Sequence, residues 1–370
     1  MPYDRNQPYN ALPLLPPPPQ NDDDVEILKK LVTTSRALAA ANANVKRLPN
    51  PYMLINTIAL QEAKTSTAIE NIFTTEDELY KAVSETIREE QTNVGTKEVL
   101  RYREALWQGF DVLQAKERLD MDCVVGIFQR IKQSSAALRP PQSQTVIRRG
   151  QSEFRSGEVI YTPPRGAGIL EQLMDNLLDY LNDDETYPTD PLLKMCIAHY
   201  QFEAIHPFPD GNGRTGRIIN LLYLVHKGLL DQPVLYLSKY IIVNKDDYYH
   251  HLGGVTQRGS WKPWIMYMLD AVEKTAQLTN QLITSILNQM EATLEHARAE
   301  IKWYSKEANE ALFSQPYIRP ELLGKTLGLT SRTTLTKYFN ELVAAKILYP
   351  GKDGRAVYYI NGDLMSILEG

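Results

Sequence analysis

Two apolar runs at helical spacing stand on either side of a short polar segment in the middle of the chain. The second run extends from Ile218 to Val225 and ends near Gly228, a residue type common just after a helix C-terminus. The first opens with Asp190-Pro191, an N-cap residue followed by proline at the first helical position. Its apolar residues recur close to the helical period: Leu192, Leu193, Cys196, Ile197, Tyr200 and Ile205. The pattern predicts two helices joined by a loop.

Helical periodicity covers most of the remaining chain. It continues with few breaks over residues 25–138 and returns as a long amphipathic helix over residues 277–302. Residues 145–162 differ, because two short β-prone stretches flank a polar, glycine-containing segment, and Pro163-Pro164 follows them. The sequence therefore predicts a mainly α protein with one small β-hairpin.

The last part of the chain has the element order of a winged helix-turn-helix domain. Residues 320–339 read as helix, tight turn and helix, and residues 346–360 read as a hairpin. Between residues 325 and 358 there are six Lys or Arg residues, opposed by Glu341 and Asp353 alone. This local positive charge is compatible with two roles for residues 325–358, contact with DNA or a domain for protein interaction or dimerisation, and the modest number of charges leaves both open.

Composition narrows the class of protein. A chain of 370 residues with 43% apolar residues can form two or three domains with cores of their own. A net charge of −5 argues against a nucleic-acid binder overall, although a local basic module remains compatible with it. Cys123 and Cys196 lie in apolar helical context, which suits a reducing compartment; an extracellular disulfide is the alternative. Without a signal-like N-terminus or an apolar run of membrane length, we expect a cytoplasmic protein with no membrane contact.

The polar segment His206 to Arg217 combines groups that handle phosphates. Its glycines allow close backbone approach to an anion, and the amides at the start of the following helix point at that anion. Arg214 and Arg217 are three residues apart and can both reach phosphate oxygens, while Asp210 is a hard oxygen ligand for a divalent cation. His206 has a pKa suited to a general base. A surface loop with two solvated arginines is the alternative.

Written out, this segment is H-P-F-P-D-G-N-G-R-T-G-R. It resembles the signature H-x-F-x-[DE]-G-N-[GK]-R-x-x-R of Fic-domain proteins and matches it at every fixed position. Most of that family are protein adenylyltransferases, which transfer AMP from ATP to a hydroxyl side chain of a target protein. The resemblance implies a Fic-type helical bundle in which the hairpin forms a flap, with ATP as substrate and Mg²⁺ as cofactor.

The resemblance also implies a role for each residue of the segment. His206 is the base that takes the proton of the attacking hydroxyl, Asp210 binds Mg²⁺, and Arg217 receives the γ-phosphate. Phe208 is a packing anchor beneath the loop. The remaining contacts to the phosphates are assigned to Gly211, Asn212, Gly213 and Arg214.

A second motif lies upstream. Ser66-Thr-Ala-Ile-Glu70-Asn71 resembles the inhibitory helix [ST]-x-x-x-E-[GN] of the same family. Ser66 and Glu70 share a helix face, and Asn71 can adopt the left-handed conformation that ends a helix. By resemblance, Glu70 pairs with Arg217 and takes the place of the γ-phosphate. The alternative is a chance match, since the string is short.

Two further regions receive functional predictions from the family. The hairpin 145–162 is expected to align the target protein through main-chain pairing along a strand edge, and a merely structural hairpin is the alternative. Tyr248 and Tyr249 are candidates for contact with the adenosine, whereas core packing explains one of them equally well.

Three functions follow from these predictions. The leading one is AMP transfer, autoinhibited by Glu70. The others are a DNA-binding regulator whose Fic domain senses nucleotide, and an enzyme that both adds and removes AMP. A homodimer is left open. The predicted divisions are a proline-rich arm 1–26, a helical region with the inhibitory helix 27–110, the catalytic core 111–275, a connecting helix 276–304 and the winged-helix domain 305–370.

Overall fold

The computed structural model describes residues 3–17, 24–48, 51–84, 92–152, 155–353 and 356–369. This part of the chain is mainly helical, as predicted. Its first helices are α1 (Val25–Val45), α2 (Pro51–Ile69), α3 (Glu76–Val83), α4 (Val94–Lys116), α5 (Met121–Lys132), α6 (Ile169–Asn182), α7 (Pro191–Ile205) and α8 (Asn212–His226). They are followed by α9 (Leu237–Val243), α10 (Lys245–Arg258), α11 (Trp261–Glu300), α12 (Lys306–Leu312), α13 (Pro320–Leu327), α14 (Arg332–Ala344) and α15 (Gly362–Glu369).

The strands form two small antiparallel sheets. In the first, β1 (Ile147–Ser152) pairs with β2 (Arg155–Tyr161), which is the predicted hairpin. In the second, β5 (Ala356–Ile360) lies between β3 (Tyr317–Ile318) and β4 (Tyr349–Asp353).

Local sequence explains several helix ends. The Asp190 side chain accepts a hydrogen bond from the Leu192 amide, and Pro191 occupies the first turn of α7. Thr75 and Glu78 form the reciprocal capping box that starts α3. Gly228, with φ of 67°, follows the end of α8 in the left-handed region, as the sequence predicts.

The two helices α7 and α8 lie at the centre of the main core. They pack on each other; α6 and α11 also contact α7, while α2, α4 and α5 contact α8. Nearly every residue of both helices is buried, so neither has a solvent-exposed face, which is typical of a helix enclosed on all sides. The loop that joins them is therefore held between two rigid elements.

The N-terminal arm is packed against the folded body over residues 3–17. Leu12 and Leu15 are buried, and the Tyr9 amide donates to the Thr162 carbonyl at 3.0 Å, just after the hairpin. Residues 3–17 thus form an ordered arm along the folded body. Residues 1–2 and 18–23 of the arm lie outside the described residues.

Two predicted boundaries fall inside continuous helices. The division between residues 275 and 276 lies within α11, and the division between 110 and 111 lies within α4. Residues 264–300 contain neither glycine nor proline, so nothing in the sequence interrupts the hydrogen-bond ladder there. Among the described helices, none is long and apolar enough to serve as a membrane span.

The C-terminal part has its own small core around Leu323, Phe339 and Leu342. Helices α13 and α14 and the pair β4–β5 occur where helix-turn-helix and hairpin are predicted, although the hairpin turn at 354–355 is not described. The assignment as a winged helix remains a prediction. This part also contacts the helical body, because Tyr317 Oη donates to Asp77 Oδ1 at 2.8 Å in α3.

Candidate active site

The signature loop is shaped from within by Asn212 and Phe208. The Asn212 amide accepts from the Phe208 N–H and donates to the Phe208 carbonyl, both at 2.8 Å. The Phe208 ring is buried and stacks on Phe128 at a centroid distance of 4.1 Å. Phe208 is thus the expected packing anchor. The Asn212 side chain thus closes the loop through one hydrogen bond at Oδ1 and one at Nδ2, and its expected contact with the phosphates stays a prediction.

Glycine is needed twice where the loop enters α8. Gly211 has φ of 79°, in the left-handed region that favours glycine. A Cβ on Gly213 would overlap Glu70 Oε1 and lie 3.0 Å from Arg217 Nη1. A side chain at position 213 is therefore incompatible with the approach of Glu70 to Arg217.

His206 ends α7 in the left-handed conformation, with φ of 51°. Burial, together with the nearby Arg139 charge, lowers the pKa of His206 from its ordinary value to about 4. The imidazole is consequently neutral at physiological pH. A neutral imidazole can accept a proton, as a general base must.

Arg217 is buried, and its hydrogen-bond partners belong to the segment that carries the second motif. Its Nε donates to Ser66 Oγ at 2.7 Å, and its Nη2 donates to the Ser66 carbonyl and to Glu70 Oε1, each at 2.8 Å. Asn71 has φ of 61° and ends the helical path beyond Glu70, as expected. The predicted pairing of Glu70 with Arg217 is present in the structure.

Arg214 has a partner that the sequence did not reveal. Its Nη1 forms an ion pair with Glu98 Oε2 in the first turns of α4, and both side chains are largely buried. Its Nε has no hydrogen-bond partner among the described residues. A buried donor without a partner costs about 1–3 kcal/mol, unless a ligand supplies the acceptor.

Asp210 lies on the exposed side of the loop. Its Oδ2 pairs with Lys132 Nζ and its Oδ1 accepts from the Gly211 amide, both at 2.6 Å. Although partial burial opposes the charge, the bond to Lys132 holds the pKa of Asp210 below its ordinary value. The described residues contain no cluster of three or more His, Cys, Asp or Glu side chains that could enclose a metal. A single ionised carboxylate beside a phosphate site still fits Mg²⁺, which commonly takes one or two carboxylates plus substrate phosphates.

A cavity of about 440 Å³ joins most of the candidate residues. His206, Gly213, Arg217, Glu70 and both tyrosines are part of its wall, and the hairpin and the arm contribute Arg149, Glu158, Tyr3 and Arg5. Asp210, Gly211, Asn212 and Arg214 are not part of this wall. They lie along the loop and the start of α8.

The two tyrosines differ in their surroundings. Tyr248 is buried, its hydroxyl is 2.9 Å from His199 Nε2, and its ring packs on Trp264 at 5.6 Å. Tyr249 is only partly buried at the cavity wall. Core packing therefore accounts for Tyr248, and Tyr249 is the better placed of the two for a nucleoside.

Three segments of the chain match family models. Residues 28–111 match the Fic/DOC family N-terminal model, and residues 126–224, which contain the loop, match the Fic/DOC family model. Residues 289–364 match the model described as protein adenylyltransferase SoFic-like, C-terminal domain. The chain belongs to the Fic/DOC family.

Curated relatives in this Fic/DOC family align over about a third of the chain. "Protein adenylyltransferase fic-1" of Caenorhabditis briggsae is 35% identical over 117 residues, which are 32% of this chain and 22% of the relative. "Protein adenylyltransferase Fic" of Drosophila willistoni is 34% identical over 129 residues, which are 34% of this chain and 24% of the relative. The alignments thus span about a quarter of these relatives.

Solved structures of Fic proteins share the fold. A Fic family protein from Desulfovibrio desulfuricans has a TM-score of 0.57 at 20% identity, covering 91% of this chain and 96% of that one. Fic-1 (residues 134–508) from C. elegans has a TM-score of 0.53 at 18% identity, covering 70% of this chain and 73% of that one. At these identities the likeness concerns the fold alone.

Sequence reasoning missed three charged residues around the Fic loop, one of them buried and two partly buried. Arg139 donates to backbone carbonyls at the end of α7, and Glu98 pairs with Arg214. Glu203 lines the cavity, and burial raises its pKa to about 7. None of them stands in a motif, so only the tertiary structure brings them to the site.

Proposed function

We propose that this protein transfers AMP from ATP to a hydroxyl side chain of a target protein, and that Glu70 inhibits the reaction in cis. The observation that carries the proposal is the occupation of Arg217 by Glu70 and Ser66 beside a neutral His206. The family membership and the curated relatives, which are named protein adenylyltransferases, support the same reaction.

In the proposed reaction, His206 accepts the proton of the target hydroxyl as its oxygen attacks the α-phosphorus of ATP. The bond from the α-phosphorus to the bridging oxygen breaks, and pyrophosphate leaves. Arg214, Arg217 and the amides at the start of α8 are the groups that can neutralise charge on the phosphates. Asp210 is the residue that would hold Mg²⁺, whose contribution is charge neutralisation on the same phosphates.

The proposed autoinhibition depends on which group binds the Arg217 guanidinium. Its Nε and Nη2 already donate hydrogen bonds to Ser66 and Glu70. A γ-phosphate therefore has to displace the Glu70 carboxylate before it can pair with the guanidinium. A buried arginine that loses this partner presents an unpaired charge, which favours an incoming anion.

We further propose that the target protein docks on the hairpin 145–162. Edge strands accept extended peptides through main-chain bonds, and Arg149 and Glu158 of the hairpin are also part of the cavity wall.

DNA contact over residues 325–358 is proposed as a separate role of the C-terminal part, supported by the exposed Arg332 and Lys337 of α14. A cytoplasmic location is proposed because Cys123 and Cys196 are free thiols.

The activity can be tested with a graded series at position 70. With labelled ATP and a cell extract as the source of targets, we expect AMP transfer to increase from the parent to Glu70→Gln and again to Glu70→Gly. Glutamine keeps an acceptor for Arg217 but loses the charge, whereas glycine removes both. Since one pairing of this kind contributes about 1.5–3 kcal/mol, the increase for glycine should be roughly 10- to 100-fold.

Two results would contradict the proposal. The first is a Glu70→Gly protein that transfers no more AMP than the parent. The second is a protein with both Glu70→Gly and His206→Ala that still transfers AMP, because the base would then lie elsewhere.

A further inference from the structure

Arg139 lies between α5 and the hairpin, and its side chain is almost entirely buried. Its Nε donates to the His206 carbonyl at 2.8 Å, and its Nη2 donates to the carbonyls of Ile205, at 3.2 Å, and of Pro164. Its own amide donates to the Pro207 carbonyl at 2.9 Å. One side chain thus joins the end of α7, the beginning of the signature loop and the segment after the hairpin.

These carbonyls need an external donor for a simple reason. The last carbonyls of a helix have no partner within the helix, and His206 turns the chain out of α7 in the left-handed conformation. The Tyr161 hydroxyl satisfies the Ala204 carbonyl at 2.7 Å, and Arg139 satisfies the next two. A guanidinium suits the task because its donors form a fixed fork and its charge lies at the negative end of the helix dipole.

We propose that Arg139 is a positioning residue for AMP transfer, which fixes His206 in its left-handed conformation and ties to it the segment that follows the target-docking hairpin. The inference rests on the proposed function. Because the same guanidinium donates to Pro164 and to His206, the base and the hairpin keep a constant relation to each other. The hydroxyl of a target that docks on the hairpin is thereby brought to the base in one geometry.

The role is distinct from nucleotide binding. The described contacts of Arg139 involve the backbone of residues 164 and 205–207, and none of them involves Arg214, Arg217 or Asp210. The loss of Arg139 should therefore impair the chemical step and leave the binding of ATP unaffected. The Arg139 charge also contributes to the low pKa of His206, which provides a second signal of their contact.

The test compares Arg139→Lys and Arg139→Met, each in the Glu70→Gly background. Lysine keeps the charge without the fork, and methionine keeps much of the side-chain length without charge or donors. We expect kcat for AMP transfer to fall roughly 10- to 100-fold, as misplaced catalytic groups do, while the KM for ATP changes less than about threefold. In Arg139→Met, the ring resonance of His206 should titrate at higher pH than in the Glu70→Gly protein without the Arg139 substitution, because a nearby cation has been removed.

Arg103→Lys is the matched control, since Arg103 is a partly buried arginine of α4 that is not part of the cavity wall. We expect it to leave kcat and KM unchanged. Melting temperatures identify any variant that fails to fold. If Arg139→Met does so, the comparison rests on Arg139→Lys.

Two outcomes overturn the inference. One is a kcat within twofold of the Glu70→Gly protein. The other is a KM for ATP that rises while kcat is kept, which would assign Arg139 to the nucleotide pocket. If Glu70→Gly itself transfers no AMP, the proposed function has failed, and the titration of His206 in Arg139→Met still tests whether Arg139 controls the imidazole.

Discussion

At the scale of single residues, the protonation state of His206 is the property on which the proposed chemistry depends most directly. Burial and the Arg139 charge lower the pKa of this imidazole to about 4. With ¹³C-labelled histidine, we expect the His206 ring to titrate below pH 5. Its signal can be identified among the six histidines by its absence in His206→Ala.

The same shift has a consequence for stability with a defined sign. The pKa of the folded state lies below the unfolded value of about 6.5, so His206 has no effect on stability above that pH. As the pH falls from about 6.5 to 4, the unfolded chain takes up a proton at this site before the folded protein does, and stability is lost. A His206 ring that titrates near pH 6.5 would mean that the imidazole is solvated, contrary to the structure.

Residue roles could be predicted from the sequence where both partners belong to local motifs. The pairing of Glu70 with Arg217 is such a case, because each residue has a fixed position in its own short pattern. The hydrogen bonds of the Asn212 side chain to Phe208 and the contacts of Arg139 could not be predicted. Their partners are backbone carbonyls and amides, which every residue type carries, so the sequence contains no signal for them.

At the scale of elements, the position of α4 against α8 decides what Arg214 can bind. Glu98 of α4 holds Nη1 of Arg214, and Nε lies buried without a described partner. In this arrangement Glu98 fixes one side of the guanidinium and leaves Nε without a described partner, which a bound phosphate would supply. In the Glu70→Gly background we expect Glu98→Gln to weaken the binding of ATP roughly 3- to 10-fold, because the charge-assisted bond that orients Arg214 is lost.

The binding of adenosine distinguishes a weaker contact with the phosphates from a general disruption of the nucleotide pocket. Adenosine lacks phosphates, so its affinity should be the same with and without Glu98→Gln in calorimetric titrations. Arg101→Gln is the control variant, because it removes the other charge that pairs with Glu98, at Oε1 and 3.5 Å, and keeps the pair of Glu98 with Arg214. It should therefore leave the binding of ATP unchanged. If Glu98 instead competes with the nucleotide for Arg214, as Glu70 does for Arg217, ATP will bind more tightly to Glu98→Gln, and the orienting role is wrong.

The elements themselves were the most predictable level. Apolar periodicity, the cap at Asp190 and the β-prone stretches before Pro163 located α7, α8 and the hairpin correctly. The domain divisions based on the same patterns stay predictions, and the one at residue 275 falls within α11. The apolar periodicity of a helix shows that one face is buried along its length, and it does not show which domain that face packs against.

At the scale of the whole molecule, the C-terminal part contacts the region that carries Glu70. Tyr317 of β3 stacks on Tyr80 at a centroid distance of 5.9 Å and donates to Asp77 Oδ1 at 2.8 Å, both in α3. Thr57 of α2 donates to the Ser314 carbonyl at 3.3 Å. The helix with Ser66 and Glu70 is thus supported on one side by α8 and near its beginning by the C-terminal part.

This support predicts that loosening the C-terminal contact weakens the inhibition. Tyr317→Phe keeps the stacked ring and removes one hydrogen bond to a carboxylate, which weakens the contact of the C-terminal part by about 1.5–3 kcal/mol. Because α2 also bonds to the C-terminal part, we expect a fraction of this loss to destabilise the position of α2. We expect the rate of AMP transfer to rise two- to fivefold, less than in Glu70→Gly, since about 1 kcal/mol changes a population roughly fivefold.

The decisive measurement is the same substitution in the Glu70→Gly background. With the inhibitory carboxylate absent, Tyr317→Phe has nothing left to release, so the initial rate with labelled ATP should not change. The exposed Tyr349 of β4 provides the control variant Tyr349→Phe, which should match the parent in both backgrounds. If Tyr317→Phe accelerates the reaction equally with and without Glu70, the C-terminal part acts on the catalytic core by a route other than the inhibitory helix.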